Sequence, residues 1–133
     1  MKIVDIEGIG DKFAEKLKAH GVVTVESLLE KAATPRHRKE LAAATDIPES
    51  KILEWTNRAD LYRIKGIGSE YSDLLEAAGV DTVPELAQRK AANLILKLTE
   101  VNETKKIVRH LPTETQLADW IDQAKSLPRV ITY

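Results

Sequence analysis

Ile6-Glu7-Gly8-Ile9-Gly10 recurs 58 residues later as Ile64-Lys65-Gly66-Ile67-Gly68, and these two stretches are named the first and second glycine turns. The repeat continues beyond them, because residues 6–28 and 64–86 are identical at eleven positions in the same register. A self-similarity of this length indicates two copies of one unit of about 60 residues. We therefore predict one compact domain over residues 1–133, made of a first unit at 1–63 and a second at 64–133.

Each copy reads as a series of short helices. Alanine, leucine, glutamate and lysine dominate the chain, while β-branched and aromatic runs are scarce, which favours an all-α fold. Thr24 and Thr34 are suited to N-cap positions, and Pro35 to the first turn of a helix. The predicted helices of the first copy cover residues 11–19, 24–29, 35–44 and 48–62. Those of the second copy cover residues 69–78, 82–92, 94–98, 103–111 and 112–125.

The two copies differ in what precedes each glycine turn. The helix predicted at 48–62 leads into the second turn, whereas no helix is predicted before the first. We expect the C-terminal helix, residues 113–125, to pack where that first helix would lie and to close the two units by a pseudo-twofold. The ends Lys2–Val4 and Arg129–Thr132 would then meet and could pair as two short strands, because both are rich in β-branched residues.

Composition excludes several classes of function. The chain has no cysteine, so disulfides, thiolate metal sites and cysteine nucleophiles are excluded. No stretch approaches the roughly 20 apolar residues of a membrane span, and we expect a soluble, cytoplasmic protein without a membrane partner. The three histidines fit no metal-ligand spacing, and no catalytic motif occurs. We therefore predict that the protein is not an enzyme.

The glycine turns suggest a binding chemistry. Glycine permits a backbone that other residues avoid and allows close approach of a partner. The free N–H groups at the start of the following helix, residues 11–14 or 69–72, form a positive concavity that suits a phosphate oxygen. Such a contact would hold a nucleic-acid backbone without reading its bases.

At these residues the chain resembles the helix-hairpin-helix motif of DNA repair and recombination proteins, a fold of the SAM-like class. Both copies carry the Gly-Val-x-Thr-Val continuation of that motif, at Gly21–Val25 and Gly79–Val83. The whole chain resembles a bacterial family of uncharacterised proteins, a domain of unknown function built on two such motifs. The resemblance implies that hairpin amides grip phosphate with help from a nearby cation, and that hairpin carbonyls can hold a monovalent cation; no other cofactor is expected. Transferred to this chain, the phosphate-binding residues are Gly8, Gly10, Lys12, Lys65, Gly66 and Gly68.

The charges near the turns oppose this function. Residues 69–88 contain five acidic residues and no lysine or arginine, and Glu7 and Asp11 flank Lys12 in the first copy. Asp11 or Glu70 could also cap the amides that a phosphate would need, in which case the glycine turns are only structural. Basic residues concentrate further along the second copy, where they form either a face for a partner of opposite charge or an ordinary solvated helix surface: Arg89, Lys90, Lys97, Lys105, Lys106 and Arg109.

Two hypotheses about function therefore remain open. In the first, the protein is a protein-interaction adaptor or a self-associating module, which is favoured by the acidic residues beside the second glycine turn, because they would repel phosphate. In the second, it binds nucleic acid weakly and without sequence preference, through the hairpin amides and the basic residues of the second copy. Trp55 with Phe13, and Trp120 with Tyr71, occupy matching positions of the two copies, and we expect all four to pack in the core rather than to stack on bases.

Overall fold

The structure is a computed structural model that describes residues 1–6 and 8–133. Within these ranges it contains eight α-helices and no strand, which confirms the all-α fold class. A short 3-10 helix, Ile3–Asp5, precedes the first of them. The helices are α1 (Asp11–Lys18), α2 (Val25–Lys31), α3 (Pro35–Thr45), α4 (Glu49–Leu61), α5 (Ser69–Ala77), α6 (Val83–Ala87), α7 (Ala91–Lys105) and α8 (Glu114–Ser126).

Threonine side chains set the start of several helices, as the sequence predicts. The Thr34 hydroxyl accepts a hydrogen bond from the His37 N–H at 3.1 Å, and Pro35 occupies the first position of α3. Thr113 forms a reciprocal capping box with Gln116 at the start of α8. Such caps are each worth about 1 kcal/mol, because they satisfy N–H groups that have no partner inside the helix. The two other helices capped in this way in the described chain are α2, by Thr24, and α6, by Thr82.

The structure corrects the predicted helices between residues 82 and 111. The helix predicted at 82–92 ends at Ala87, and the two predicted at 94–98 and 103–111 are replaced by α7, which ends at Lys105. Lys106 adopts a left-handed conformation, with φ 49°. The side-chain amide of Asn102 donates to the carbonyl of Val108 and accepts from its N–H, both at 3.0 Å, and so fixes the chain as it leaves the helix. Residues 106–113 are therefore a loop.

The chain divides into two compact units: unit 1 contains residues 1–60 and 130–133, and unit 2 contains residues 61–129. The core of unit 1 is formed by buried side chains from the 3-10 helix, the first glycine turn, helices α1 to α4 and the C-terminal segment. Its buried apolar residues include Ile3, Ile6, Ile9, Leu17, Val22, Val25, Leu28, Leu41, Ile47, Ile52, Trp55 and Ile131. Glu7, part of the predicted acidic flank, lies outside the described residues.

A buried arginine holds the C-terminal segment in unit 1. Arg38 is only 3% exposed, and its guanidinium donates to the carbonyl of Ala32 at 3.0 Å and to that of Thr132 at 2.7 Å. The Thr132 N–H donates to Ala33, and Lys2 forms an antiparallel bridge with Thr24. The predicted strand pairing between the two termini is therefore wrong, because each terminal segment uses its backbone groups on another part of unit 1.

In unit 2, helix α8 packs against α6 and α7, and α5 also contacts α7. One cluster of buried side chains joins these helices to the second glycine turn, and it includes Ile64, Ile67, Leu74, Leu75, Leu86, Leu94, Leu98, Leu117, Trp120 and Ile121. The expectation that the C-terminal helix packs before the first glycine turn is thus wrong, because α8 completes the core of its own unit. No helix of the described chain is long and apolar enough to cross a membrane.

Candidate binding surfaces

The second glycine turn is built against a tryptophan. Gly66 has φ +102°, and the N–H of Ile67 donates to the carbonyl of Ile64 at 3.2 Å, which closes a four-residue turn. Trp120, on α8, is buried beside it: a Cβ atom added to Gly66 would lie 2.7 Å from the indole nitrogen. Glycine is therefore required here both by the backbone conformation and by the lack of space.

The first glycine turn has the same surroundings. Gly8 has φ +92°, and a Cβ atom added there would lie 3.2 Å from the indole nitrogen of Trp55 on α4. The ring of Phe13 is tilted 56° against Trp55 with centroids 5.2 Å apart, and Tyr71 is tilted 54° against Trp120 at the same distance. The expected core packing of the tryptophans is confirmed, since each closes the turn of its own unit.

A glutamine also braces the second turn. The Lys65 N–H donates to the side-chain oxygen of Gln123 at 2.9 Å, and the Gln123 amide donates to the Lys65 carbonyl at 3.2 Å. The same amide donates to Asp119, one helical turn earlier on α8. These bonds occupy the backbone of Lys65 and leave its ammonium group exposed. The turn is thus rigid before any ligand arrives.

The helices that follow the two turns begin without a side-chain cap. Their N-cap residues are Gly10 and Gly68, which adopt extended backbone conformations, in contrast to the threonines that cap α2, α3, α6 and α8. Within the described chain, no hydrogen bond joins the carboxylate of Asp11 or Glu70 to these amides. The self-capping alternative is thus not what the described residues show, although both acids remain in the first turns.

The predicted basic residues of unit 2 do not form one surface. Arg89 donates to the carbonyl of Gly79 at 3.3 Å, as Lys31 of unit 1 does to His20 at 3.1 Å, so it braces the end of α5. Lys90 and Lys105 lie at opposite ends of α7, about 22 Å apart at 1.5 Å per residue. Lys97 shares the exposed side of this helix with acidic residues, namely Glu100 and Glu103.

Two of the predicted basic residues lie in a loop that is tied to α5. The hydroxyl of Tyr71, on α5, donates to the carbonyl of His110 at 3.2 Å and ties the 106–113 loop to the helix that follows the second turn. Arg109 and His110 are exposed in this loop, as Lys106 is at its start. The structure thus shows an exposed Lys65 in the second turn and, separately, a basic loop attached to α5 through Tyr71.

Unit 1 contains a cleft that the sequence alone does not indicate. It lies between the N-terminal segment and α1 and has a volume of about 420 Å³. Its apolar lining consists of Ile3, Val4, Ala14 and Val23, and its charged lining of Lys2, Asp11, Glu15 and Lys18. Val4 is 41% and Val23 43% exposed, and both line this concave surface. We name this surface the α1 cleft.

The matching face of unit 2 is built differently. At the positions that correspond to Ile3, Ala14 and Val23, unit 2 has Leu61 and Ser72, both fully buried, and Asp81. The repeat itself thus contains a signal for the cleft, because an exposed valine stands where the second copy has an acid. Sequence reasoning overlooked that signal, since it compared the conserved positions of the two copies rather than the divergent ones.

The described residues bring together no group of three or more histidine, aspartate or glutamate side chains that could hold a metal ion.

A family model described as a domain of unknown function (DUF4332) matches residues 7–127. No curated protein and no solved structure matches the chain.

Proposed function

The chain belongs to the DUF4332 family, and we propose that it is a non-enzymatic protein-interaction module built on two helix-hairpin-helix units, with the α1 cleft as its binding surface. Each unit would consist of a glycine turn between helices, closed by the tryptophan of its last helix. The relation of the two units by a pseudo-twofold stays a prediction.

The exposed valines of the α1 cleft are the observation that carries this proposal. Val4 and Val23 stand beside the half-buried Ala14 in a concave surface with charges at its edge. Apolar contact area surrounded by polar groups is typical of protein interfaces. Phosphate would gain nothing from the valines, and repulsion by Asp11 and Glu15 would offset its attraction to Lys2 and Lys18. A partner protein could cover the valines and pair with the charges.

The test is affinity capture with the full chain as bait. Val23→Asp should abolish capture of any partner that uses the cleft, because it places a charge in the apolar contact. The fold should tolerate this change, since unit 2 already has Asp81 at the matching position. Leu96→Asp is the matched control, because Leu96 is an exposed apolar residue on α7 of unit 2. Capture that both variants retain equally would refute the proposal.

The second glycine turn supports a second candidate function, weak binding of a nucleic-acid backbone. The observation in its favour is the uncapped start of α5, with the exposed Lys65 before it and the basic 106–113 loop tied to Tyr71. Amides at a helix start bind phosphate oxygens, and lysine or arginine nearby adds attraction. The expected affinity is at the weak, non-specific end, with Kd about 10⁻⁴ M at physiological salt.

A salt titration of duplex DNA binding tests this second candidate. Affinity should fall as salt rises, and Lys65→Glu and Lys106→Glu should each weaken binding, whereas Lys39→Glu, on α3 of unit 1, should change it little. Absence of binding at low salt, or equal losses for all three variants, would leave only the protein-interaction proposal.

A further inference from the structure

We infer that the occupant of the α1 cleft is a second copy of this chain, with the α1 helices of the two copies packed antiparallel about a twofold axis. This inference rests on the proposed function of the cleft and names its partner. It follows from the spacing of charges along α1, from the small residue between them and from the exposed valines beside them.

The cleft side of α1 carries opposite charges at its two ends, Asp11 and Lys18. Asp11, Ala14, Glu15 and Lys18 line the cleft, and their spacing of three, four and seven residues places them along one side of the helix. In an antiparallel pair centred between Ala14 and Glu15, Asp11 of each copy lies opposite Lys18 of the other. A twofold interface uses the same patch on both copies, so this single arrangement forms both ion pairs. It also brings the two Glu15 side chains together beside the axis, where their repulsion opposes association.

The residue at the centre allows the two helices to approach. Packed helix axes lie 8–10 Å apart, depending on the side chains between them, and Ala14 is the smallest side chain on this face of α1. Val4 and Val23 line the same cleft as Ala14 and would lose their exposure to water against the second copy. The net charge of −1 adds little repulsion between copies, since proteins with a net charge close to zero associate more readily.

The first test is a charge swap read by sedimentation equilibrium from about 1 µM to 1 mM protein. Asp11→Lys and Lys18→Asp should each weaken the dimer at least tenfold, and the double variant should restore it to within about threefold. Asp11 and Lys18 are about 10 Å apart along one helix, too far for an ion pair within a single copy. Lys16→Asp is the control, because Lys16 is exposed on the same helix but does not line the cleft.

The charge swap also changes charges at the ends of α1, and such charges contribute to the stability of the helix. A second test therefore leaves Asp11 and Lys18 unchanged. The chain has no cysteine, so Ala14→Cys introduces a single thiol beside the proposed axis. It should form a disulfide-linked dimer in a glutathione buffer much faster than Lys16→Cys does. Melting temperatures of all variants establish that each one folds.

Several outcomes would overturn the inference: a monomeric wild-type protein at 1 mM, a double swap as weak as either single variant, or equal cross-linking of the two cysteine variants. If the protein is monomeric but captures a different protein through Val23, the proposed function stands and the second copy is not the occupant. If Val23→Asp changes neither capture nor dimerisation, both fail.

Discussion

Replacing Gly66 with alanine should destabilise the protein more than replacing any other glycine of the two glycine turns with alanine. The backbone of Gly66 has φ +102°, where a side chain costs about 1–3 kcal/mol. The new Cβ atom would also lie 2.7 Å from the indole nitrogen of Trp120, about 0.8 Å inside normal contact. Trp120 is buried against Tyr71, so relieving this overlap adds about 1–3 kcal/mol. We expect a total loss of about 4 kcal/mol.

The other glycines of the turns provide a graded control. Gly8 has a similar φ of +92° but leaves 3.2 Å to Trp55, so Gly8→Ala should cost about 2 kcal/mol, mostly from the backbone. Gly68 has φ −103°, and a Cβ atom there would meet nothing within 4 Å. Gly68→Ala should therefore change stability by less than about 0.5 kcal/mol, because a poorer N-cap residue and a less flexible unfolded chain offset each other.

The assay is urea unfolding monitored by circular dichroism and by tryptophan fluorescence, which reports on Trp55 in unit 1 and Trp120 in unit 2. A double-mutant cycle with Trp120→Phe isolates the steric part, because removing the indole nitrogen should make Gly66→Ala less costly. Equal losses for Gly66→Ala and Gly68→Ala would refute the reasoning. So would a cycle without coupling between positions 66 and 120, since the overlap with the indole would then contribute nothing.

Three further predictions concern stability. Ser72→Ala should leave stability unchanged or raise it by up to about 1 kcal/mol in urea unfolding. The buried Ser72 hydroxyl has no hydrogen-bond partner among the described residues, and the first copy has Ala14 at this position. A loss above about 1 kcal/mol would show that the hydroxyl is bonded. Deleting residues 130–133 should lower the melting temperature by several degrees. The deletion removes the buried Ile131 side chain from the core of unit 1, and it removes the Thr132 carbonyl that accepts a hydrogen bond from the buried Arg38. An unchanged melting temperature would contradict this account. Thr113→Ala should cost about 1 kcal/mol by loss of the capping box of α8, while Thr115→Ala, exposed on the same helix, should cost much less.

Much of the local structure could be predicted from the sequence, because its signals are local. Thr34 before Pro35 marks the start of α3, and Thr24 that of α2. The prediction of a helix at 103–111 was wrong, because the chain leaves α7 through hydrogen bonds between Asn102 and Val108. The spacing of apolar residues in the sequence does not indicate these bonds. Several residues of the candidate surfaces were identified from the sequence, but Arg89 proved to be a structural brace, and the α1 cleft was missed.

The sequence by itself determined that the chain is helical, that residues 6–28 are repeated at 64–86, and that a glycine turn occurs in each half. These properties follow from propensities, capping residues and the register of the repeat, all of which act over a few residues. Tertiary structure alone decided which tryptophan closes which turn, that Arg38 holds the C-terminal segment, and that Val4 and Val23 stay exposed on one surface. Such contacts join residues far apart in the chain, and they depend on how side chains fill the space between helices, which composition and spacing do not specify.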